Sequence, residues 1–295
     1  MRKESIPCSP EAFRCRGSFT ETGMEYHYKT GCLDLKQTLE SGQCFRWRRQ
    51  DDGSYVGISG CYILKAAQTD DGVIFTVRNK AEAKHWLAYF DSETDYEAVI
   101  KQFSADKTLG EAARENSGIR ILRQEPFETL ISFIISQNNN IPRITGIISR
   151  LCESFGDKIS DEYGGMWTFP DAKRLAALSP EDLAPLRAGF RVRYILDAAT
   201  KVADGTIDLD SIYDMSYDDG KAYLKTITGV GDKVADCVLL FAYHKTSAFP
   251  SDVWIKRIVA EYYSDGLPEC MGEYKGIAQQ YLFEYFRKRT PVSTK

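Results

Sequence analysis

Between Tyr26 and Arg78 the hydrophobic positions come in short runs rich in aromatic and β-branched residues: EYHYKTGCLDL, QCFRWRR, SYVGIS, CYILKAA and VIFTVRN, parted by DDGS, SG and TDDG. Strand-forming runs of this length, separated by tight turn residues, predict neighbouring antiparallel strands. From about Ala81 the spacing changes to the three-and-four-residue recurrence of helices. EAKHWLAYF, the strongly apolar PFETLISFIIS and, after a polar QNNN break, IPRITGIISRLCESFG each read as a helix. SPEDLAPLR carries a start signal, with Ser179 as N-cap, Pro180 at the first helical position and Asp182 closing a capping box. RYILDAATKVADG ends on Gly205, a helix stop. SYDDGKAYLKTI begins at a Ser216 cap, DKVADCVLLFAY follows a glycine turn, VWIKRIVAEYY follows SAFPSD, and YKGIAQQYLFEYFRKR is the last helix.

This pattern places the chain in the α+β class. It predicts a loose segment over residues 1–20, broken by Pro7 and Pro10, then a small antiparallel β-sheet domain over 21–110, then a larger all-helical domain over 111–295. With 295 residues, 43% hydrophobic and 27% charged, there is ample material for such a folded core. No run approaches the roughly 18 apolar residues of a membrane span, and no apolar stretch follows the basic N-terminus, so an intracellular location is expected.

Eight cysteines and three histidines occur, with no C-x-x-C pair and the histidines far apart. Free thiols are expected rather than a disulfide framework, and neither a metal site nor an organic cofactor is implied. The formal net charge of −4 carries no basic footprint for nucleic acid, though total charge does not locate a local basic groove.

The stretch 229–237, GVGDKVADC, carries the chemistry. Glycines at 229 and 231 can take positive φ and let a partner approach the backbone. The amides beyond them open a helix and suit a phosphate; the plainer reading is a tight helix–helix corner. Val234, Cys237, Val238 and Phe241 lie at i, i+3, i+4, i+7 and predict an amphipathic helix. Lys233 stands in its first turn, where the helix dipole opposes a cation. Either it swings away into solvent, or it is a reactive amine facing a pocket that Cys237, one turn on, also lines. Asp252, in FPSD, reads as a helix N-cap, which would also hold its carboxylate in place for chemistry.

Together these stretches resemble the helix-hairpin-helix DNA glycosylases, and within them the 8-oxoguanine DNA glycosylases. SGQCFRW, SFIISQNNNIPRITG, GFRVRY and AQQYLF extend the resemblance from the sheet to the last helix. It implies an active site in a cleft between helical subdomains, with damaged double-stranded DNA as partner and a monomer as the working unit. Lys233 would attack the sugar C1′ and hold it as a Schiff base, leading to β-elimination, while Asp252 would stabilise the charge on the sugar. The Gly42 carbonyl would accept from the N7–H that 8-oxoguanine has and guanine lacks. Cys237 and Phe283 would sandwich the flipped base, and Gln279 would read its Watson–Crick edge.

The resemblance further implies that Asn138 fills the gap in the duplex and that Arg143 and Arg191 meet the orphaned cytosine. Gly229, Val230 and Gly231 would grip a phosphate. Phe190 stands where better-known members carry a wedging tyrosine, and Trp254 where they carry a phosphate-binding histidine. Two other readings remain at this point: another glycosylase of the superfamily, for which the amine at 233 and the lack of a C-terminal cysteine cluster are unfavourable, and a non-catalytic helix-hairpin-helix DNA-binding protein.

Overall fold

The computed structural model describes residues 23–289. The expected loose segment over residues 1–20 lies outside the described residues. Strands β1 (Met24–Lys29), β2 (Arg48–Arg49), β3 (Tyr55–Ser59), β4 (Tyr62–Thr69) and β5 (Gly72–Val77) form one antiparallel sheet in the order β1-β5-β4-β3-β2. The alternation of a half-covered strand is clear in β5, where Val73, Phe75 and Val77 are buried and Ile74 and Thr76 only partly so. Helix α2 (Lys80–Tyr89) lies on this face and seals it with Trp86. The other face of β3 and β4 buries Val56, Ile58 and Ile63 with Met166. Met166 belongs to a two-stranded hairpin, β6 (Lys158–Ser160) and β7 (Met166–Trp167), that the hydrophobic pattern does not announce.

Two of the expected strands are shorter than their sequence runs. Residues 25–35 give β1, a turn and the start of a short helix, α1 (Leu35–Leu39), capped by Asp34. Residues 43–49 contribute only Arg48 and Arg49 to the sheet. The preceding Gln43, Cys44 and Phe45 are drawn into the interior and spend their side chains there instead of alternating.

The helical part comprises α3 (Tyr96–Phe103), α4 (Lys107–Glu115), α5 (Pro126–Ser136), α6 (Ile141–Phe155), α7 (Ala172–Ala176), α8 (Val192–Ala203), α9 (Tyr217–Leu224), α10 (Asp232–Phe241), α11 (Val253–Tyr262) and α12 (Lys275–Arg289). The expected division between residues 110 and 111 falls inside α4, whose Leu109, Ala112 and Ala113 join the helical core beside Tyr281 of α12. Ser216 and Asp252 cap α9 and α11, accepting from the amides of Asp219 (3.1 Å) and Ile255 (2.8 Å). Gly205, at φ 80°, follows the last turn of α8 as the stop signal requires.

The segment 179–187 departs from expectation. The Ser179–Asp182 capping box forms, with Asp182 N–H donating to Ser179 Oγ at 3.2 Å. Only a 3-10 turn, Ala184–Leu186, follows it. Pro185 has no amide hydrogen to give the Glu181 carbonyl, so an α-helix cannot propagate. Helix α10 departs too: from Val234 to Phe241 every residue is buried, so it is a central helix rather than an amphipathic one.

Two buried side chains knit sheet and helices together. Arg120, 4% exposed, donates to the carbonyls of Cys32 (2.8 Å) and Asp91 (2.9 Å), to Tyr28 Oη (3.1 Å) and to Thr30 Oγ1 (2.8 Å). Gln43, fully buried, donates to the carbonyls of Thr38 (3.0 Å) and Arg120 (2.8 Å) and accepts from Leu122 N–H (2.9 Å). Among the described residues no helix is long and apolar enough to cross a membrane.

Replacing Arg120 strands several buried acceptors at once, and each unpaired group carries its own desolvation cost. Arg120→Met is expected to lower the unfolding free energy by about 3 kcal/mol or more, read from the midpoint of chemical denaturation.

Candidate active site

Five separate parts of the chain meet in one cavity, lined by Ser41, Gly42, Phe133, Lys233, Cys237, Phe241, Pro250, Asp252, Gln279, Gln280 and Phe283. Lys233 projects from the first turn of α10, is half-buried, and does not swing into solvent. Its Nζ donates to Ser136 Oγ at 3.3 Å and sits 4.9 Å from the centre of the Phe133 ring. That ring is fixed by stacking on Phe241, with centroids 5.3 Å apart, and by an edge contact with Phe45. Phe133 and Ser136 lie three residues apart on one face of α5, and neither role was legible in the sequence: an apolar helix facing inward offers no sign of which phenylalanine meets an amine. Among the described residues no carboxylate pairs with Lys233 Nζ, which is held by the Ser136 hydroxyl, the Phe133 ring face and the Cys237 thiol rather than locked in an ion pair.

Asp252 lines the same cavity. Its Oδ1 is committed to the Ile255 amide, which fixes the side chain at the mouth of α11. Cys237 is 2% exposed. Burial pushes its thiol up to about 11, against the opposing pull of Lys233, so it presents a neutral, soft wall. Gln279 and Phe283 are one turn apart on α12 and face the cavity together.

Gly42 reaches the cavity from the sheet side, at φ 81°. A Cβ there would meet Ile141 Cδ1 at 3.3 Å, so both backbone and neighbour favour glycine. Among the described residues none donates to the Gly42 carbonyl. Its position is set by the next residue, Gln43, whose backbone carbonyl accepts from Gln124 Nε2 at 2.8 Å while Gln124 N–H donates to the carbonyl of Phe241 at 2.8 Å. The turn carrying Gly42 is thereby tied to the end of the helix that carries Lys233.

The remaining candidate residues are not among those lining the cavity, and several are exposed. Asn138, in the bend between α5 and α6, is exposed with φ 46°. Phe190, 48% exposed, and Trp254, 43% exposed, stand out among large apolar side chains. Arg143 is exposed on the first turn of α6, with Nη2 3.4 Å from the Arg187 carbonyl. Arg191 differs from all of these in being only 3% exposed. Its guanidinium donates to the carbonyls of Gln137, Asn138 (2.9 Å) and Ala188 (3.1 Å) and covers the Phe190 ring at 4.5 Å. Burial and the nearby Arg143 lower its pKa. Arg191 thus holds the Asn138 bend in shape, with most of its donors already engaged.

In the hairpin between α9 and α10, the two glycines play different parts. Gly229 has φ 84°, and a Cβ would lie 2.4 Å from the Tyr194 ring. Gly231 has φ −97°, not the positive value expected, and nothing lies within 4 Å of where its Cβ would be. Neither its conformation nor its neighbours demand glycine, and it caps α10 without a side chain that could accept from the first-turn amides. Val230 is 5% exposed and plugs the hairpin into the core.

Comparison with known proteins agrees with this arrangement. Residues 26–130 match the family described as 8-oxoguanine DNA glycosylase, N-terminal domain, and residues 131–267 match the HhH-GPD superfamily of base excision DNA repair proteins. An N-glycosylase/DNA lyase of Saccharomyces cerevisiae is 33% identical over 257 residues, covering 78% of this chain and 68% of the yeast protein. The chain belongs to the 8-oxoguanine DNA glycosylases.

Two solved relatives of the glycosylase superpose closely. The Clostridium acetobutylicum 8-oxoguanine glycosylase/lyase, in complex with duplex DNA containing cytosine opposite 8-oxoguanine, has a TM-score of 0.84 at 34% identity, covering 91% of this chain and 98% of that one. MBOgg1, in complex with a low-affinity DNA ligand, has a TM-score of 0.84 at 40% identity, covering 90% and 99%. The glycosylase is accordingly a DNA N-glycosylase/lyase of base excision repair that acts on DNA, and the non-catalytic reading falls away.

The two hairpin glycines make a paired test of the glycosylase. Gly229→Ala is expected to cost about 2 kcal/mol or more of stability through ring clash and left-handed backbone. Gly231→Ala should stay within about 0.5 kcal/mol, both measured by chemical denaturation.

Proposed function

We propose that this glycosylase removes 8-oxoguanine, and its ring-opened formamidopyrimidine counterpart, from opposite cytosine in duplex DNA, using Lys233 as nucleophile. The observation that carries the reading is the convergence of Lys233, Asp252, Gly42, Cys237, Gln279 and Phe283 on one cavity. A base must leave the stack before its sugar bond can be reached, and the walls offered by Cys237 and Phe283 suit a flipped, planar ring. The free carbonyl of Gly42 suits a donor at N7. An undamaged guanine presents a lone pair at that atom, and an acceptor facing an acceptor is rejected strongly in a dry site.

In this route the unprotonated Lys233 Nζ attacks C1′, and the glycosidic bond breaks with its electron pair departing on the base. Asp252 stabilises the positive charge that grows on the sugar and assists proton transfer. The attached nitrogen gives up one proton, and the C1′–O4′ bond then breaks with O4′ taking up a proton, leaving the sugar as a protonated Schiff base. Removal of a C2′ proton then expels the 3′ phosphate by β-elimination. No step calls on a metal or organic cofactor. One lesion requires one such pocket, so a monomer suffices.

Asn138 fills the space the base leaves, and Phe190 wedges beside it. Arg143, exposed on α6, supplies donors for the orphaned cytosine, while Arg191 offers its single remaining donor and keeps the bend in place. The bare backbone of Gly231, beside Gly229 and Val230, accepts a phosphate approaching the start of α10, and Trp254 a second near α11.

Borohydride trapping on a duplex with one 8-oxoguanine opposite cytosine tests the nucleophile. The unaltered protein should give a covalent adduct. Lys233→Gln should give none and release base more slowly by on the order of 10³-fold or more while still binding the duplex. An adduct in both would assign the amine elsewhere. The opposite-base reading has its own test. Arg143→Ala should narrow the ratio of release rates for cytosine over adenine opposite the lesion by roughly tenfold, the worth of one bidentate base contact.

A further inference from the structure

Lys233 Nζ lies 3.3 Å from Ser136 Oγ and 4.9 Å from the centre of the Phe133 ring. A ring face can only accept an N–H. A serine hydroxyl can donate or accept, and here the backbone decides which. Helix α5 ends at Ser136, and the chain leaves it at Gln137 with ψ 127°. In an unbroken helix the Gln137 amide would bond the Phe133 carbonyl; it turns to the Ile134 carbonyl instead, at 3.5 Å. The Phe133 carbonyl takes its hydrogen bond from Ser136 Oγ, at 2.8 Å. A carbonyl has no proton to give, so the one hydroxyl proton of Ser136 is committed to it. The oxygen therefore presents only lone pairs to Lys233. Turning the proton toward the amine would strand a carbonyl at the end of the helix.

We infer that Ser136 is a positioning residue for the nucleophile, aiming the lone pair of the free Lys233 amine by accepting one of its N–H bonds. The inference rests on the reading that Lys233 attacks C1′. An unprotonated amine has two N–H bonds and one lone pair. Ser136 Oγ and the Phe133 ring face are both acceptors, and both hold Nζ from the side of α5. They take the two N–H bonds, which leaves the lone pair for the side of Cys237 and the cavity it lines. A thiol is a weak donor, so an approaching C1′ displaces it at little cost. Without the hydroxyl, the amine turns freely about its Cε–Nζ bond and spends much of its time offering C1′ an N–H, which cannot attack. A serine that only closed the end of α5 would satisfy the same carbonyl and leave the amine's reactivity untouched.

Three measurements on the full chain test this. Single-turnover base release is followed at saturating protein on a duplex with 8-oxoguanine opposite cytosine. The rate of borohydride-trapped adduct formation is followed on a duplex carrying a preformed abasic site, where the amine meets C1′ with no base to expel. Equilibrium affinity is read on a tetrahydrofuran abasic analogue, which forms no adduct. Ser136→Ala should slow base release and abasic-site trapping alike, each by on the order of tenfold, and leave affinity within about twofold. Ser136→Thr keeps a hydroxyl that can bond a carbonyl three or four residues back in a helix, and should recover most of both rates. If Ser136→Ala slows base release but traps the abasic site at full rate, the serine does not act on the amine and the inference is wrong. It is equally wrong if neither rate changes, or if the loss follows weakened affinity and threonine fails to restore it. Should the unaltered protein form no adduct on either duplex, the Lys233 reading fails, and this inference fails with it.

Discussion

The site depends on one buried amide. Gln43 sits at the seam between sheet and helices and satisfies both ends of its side chain there, on Thr38, Arg120 and Leu122. Its backbone carbonyl hands the connection to Gln124, and Gln124 to the last residue of α10. A single-carbonyl reader is useful only if its oxygen is placed to a few tenths of an ångström against the groups holding the rest of the base. Gly42 comes from the turn that follows α1 and Lys233 from the far end of a central helix. The Gln43–Gln124 relay makes them parts of one rigid frame.

Around that frame the division of labour follows secondary structure. Helix α10 is buried on every side beyond its first turn, so Lys233 and Cys237 sit on an element that cannot tilt without disturbing the whole helical core. Asp252 is fixed by a cap and Phe133 by aromatic stacking, and each holds its place before any ligand arrives. This is the preorganisation that electrostatic catalysis requires, because dipoles already aligned need no reorganisation when charge develops. The cost appears as small local departures from ideal structure, in the positive φ of Gly42 and Asn138.

Much of this was legible in the amino-acid order. Short runs rich in aromatic and β-branched residues located β3, β4 and β5, and caps such as Ser216 and Asp252 located the helix starts, because these signals act locally. The family stretches brought Lys233, Asp252, Gly42, Cys237, Gln279 and Phe283 to attention, and all six line one cavity. What could not be read was whatever depends on a distant neighbour. QCFRWRR has strand composition, yet tertiary hydrogen bonds at Gln43 withdraw its first half from the sheet. DKVADCVLLFAY shows an amphipathic stripe, yet packing covers its other faces as well. SPEDLAPLR keeps its capping box and loses its helix to Pro185. Arg191 looks like a solvent-facing arginine in sequence and is a buried clamp in the fold, because two of its three acceptor carbonyls, those of Gln137 and Asn138, lie more than fifty residues away.

That clamp has a mechanical corollary. Arg191 joins the Asn138 bend to the turn bearing Phe190 through several bonds and a stacked ring, so the two tips cannot be displaced separately. A rod pressed onto two teeth of a stiff comb must itself bend to seat, and the comb keeps its spacing. The deformation on encounter then falls on the duplex, whose resistance to bending varies with sequence and is least where stacking is already weakened. Rigidity in the protein thereby becomes a gauge of softness in the DNA.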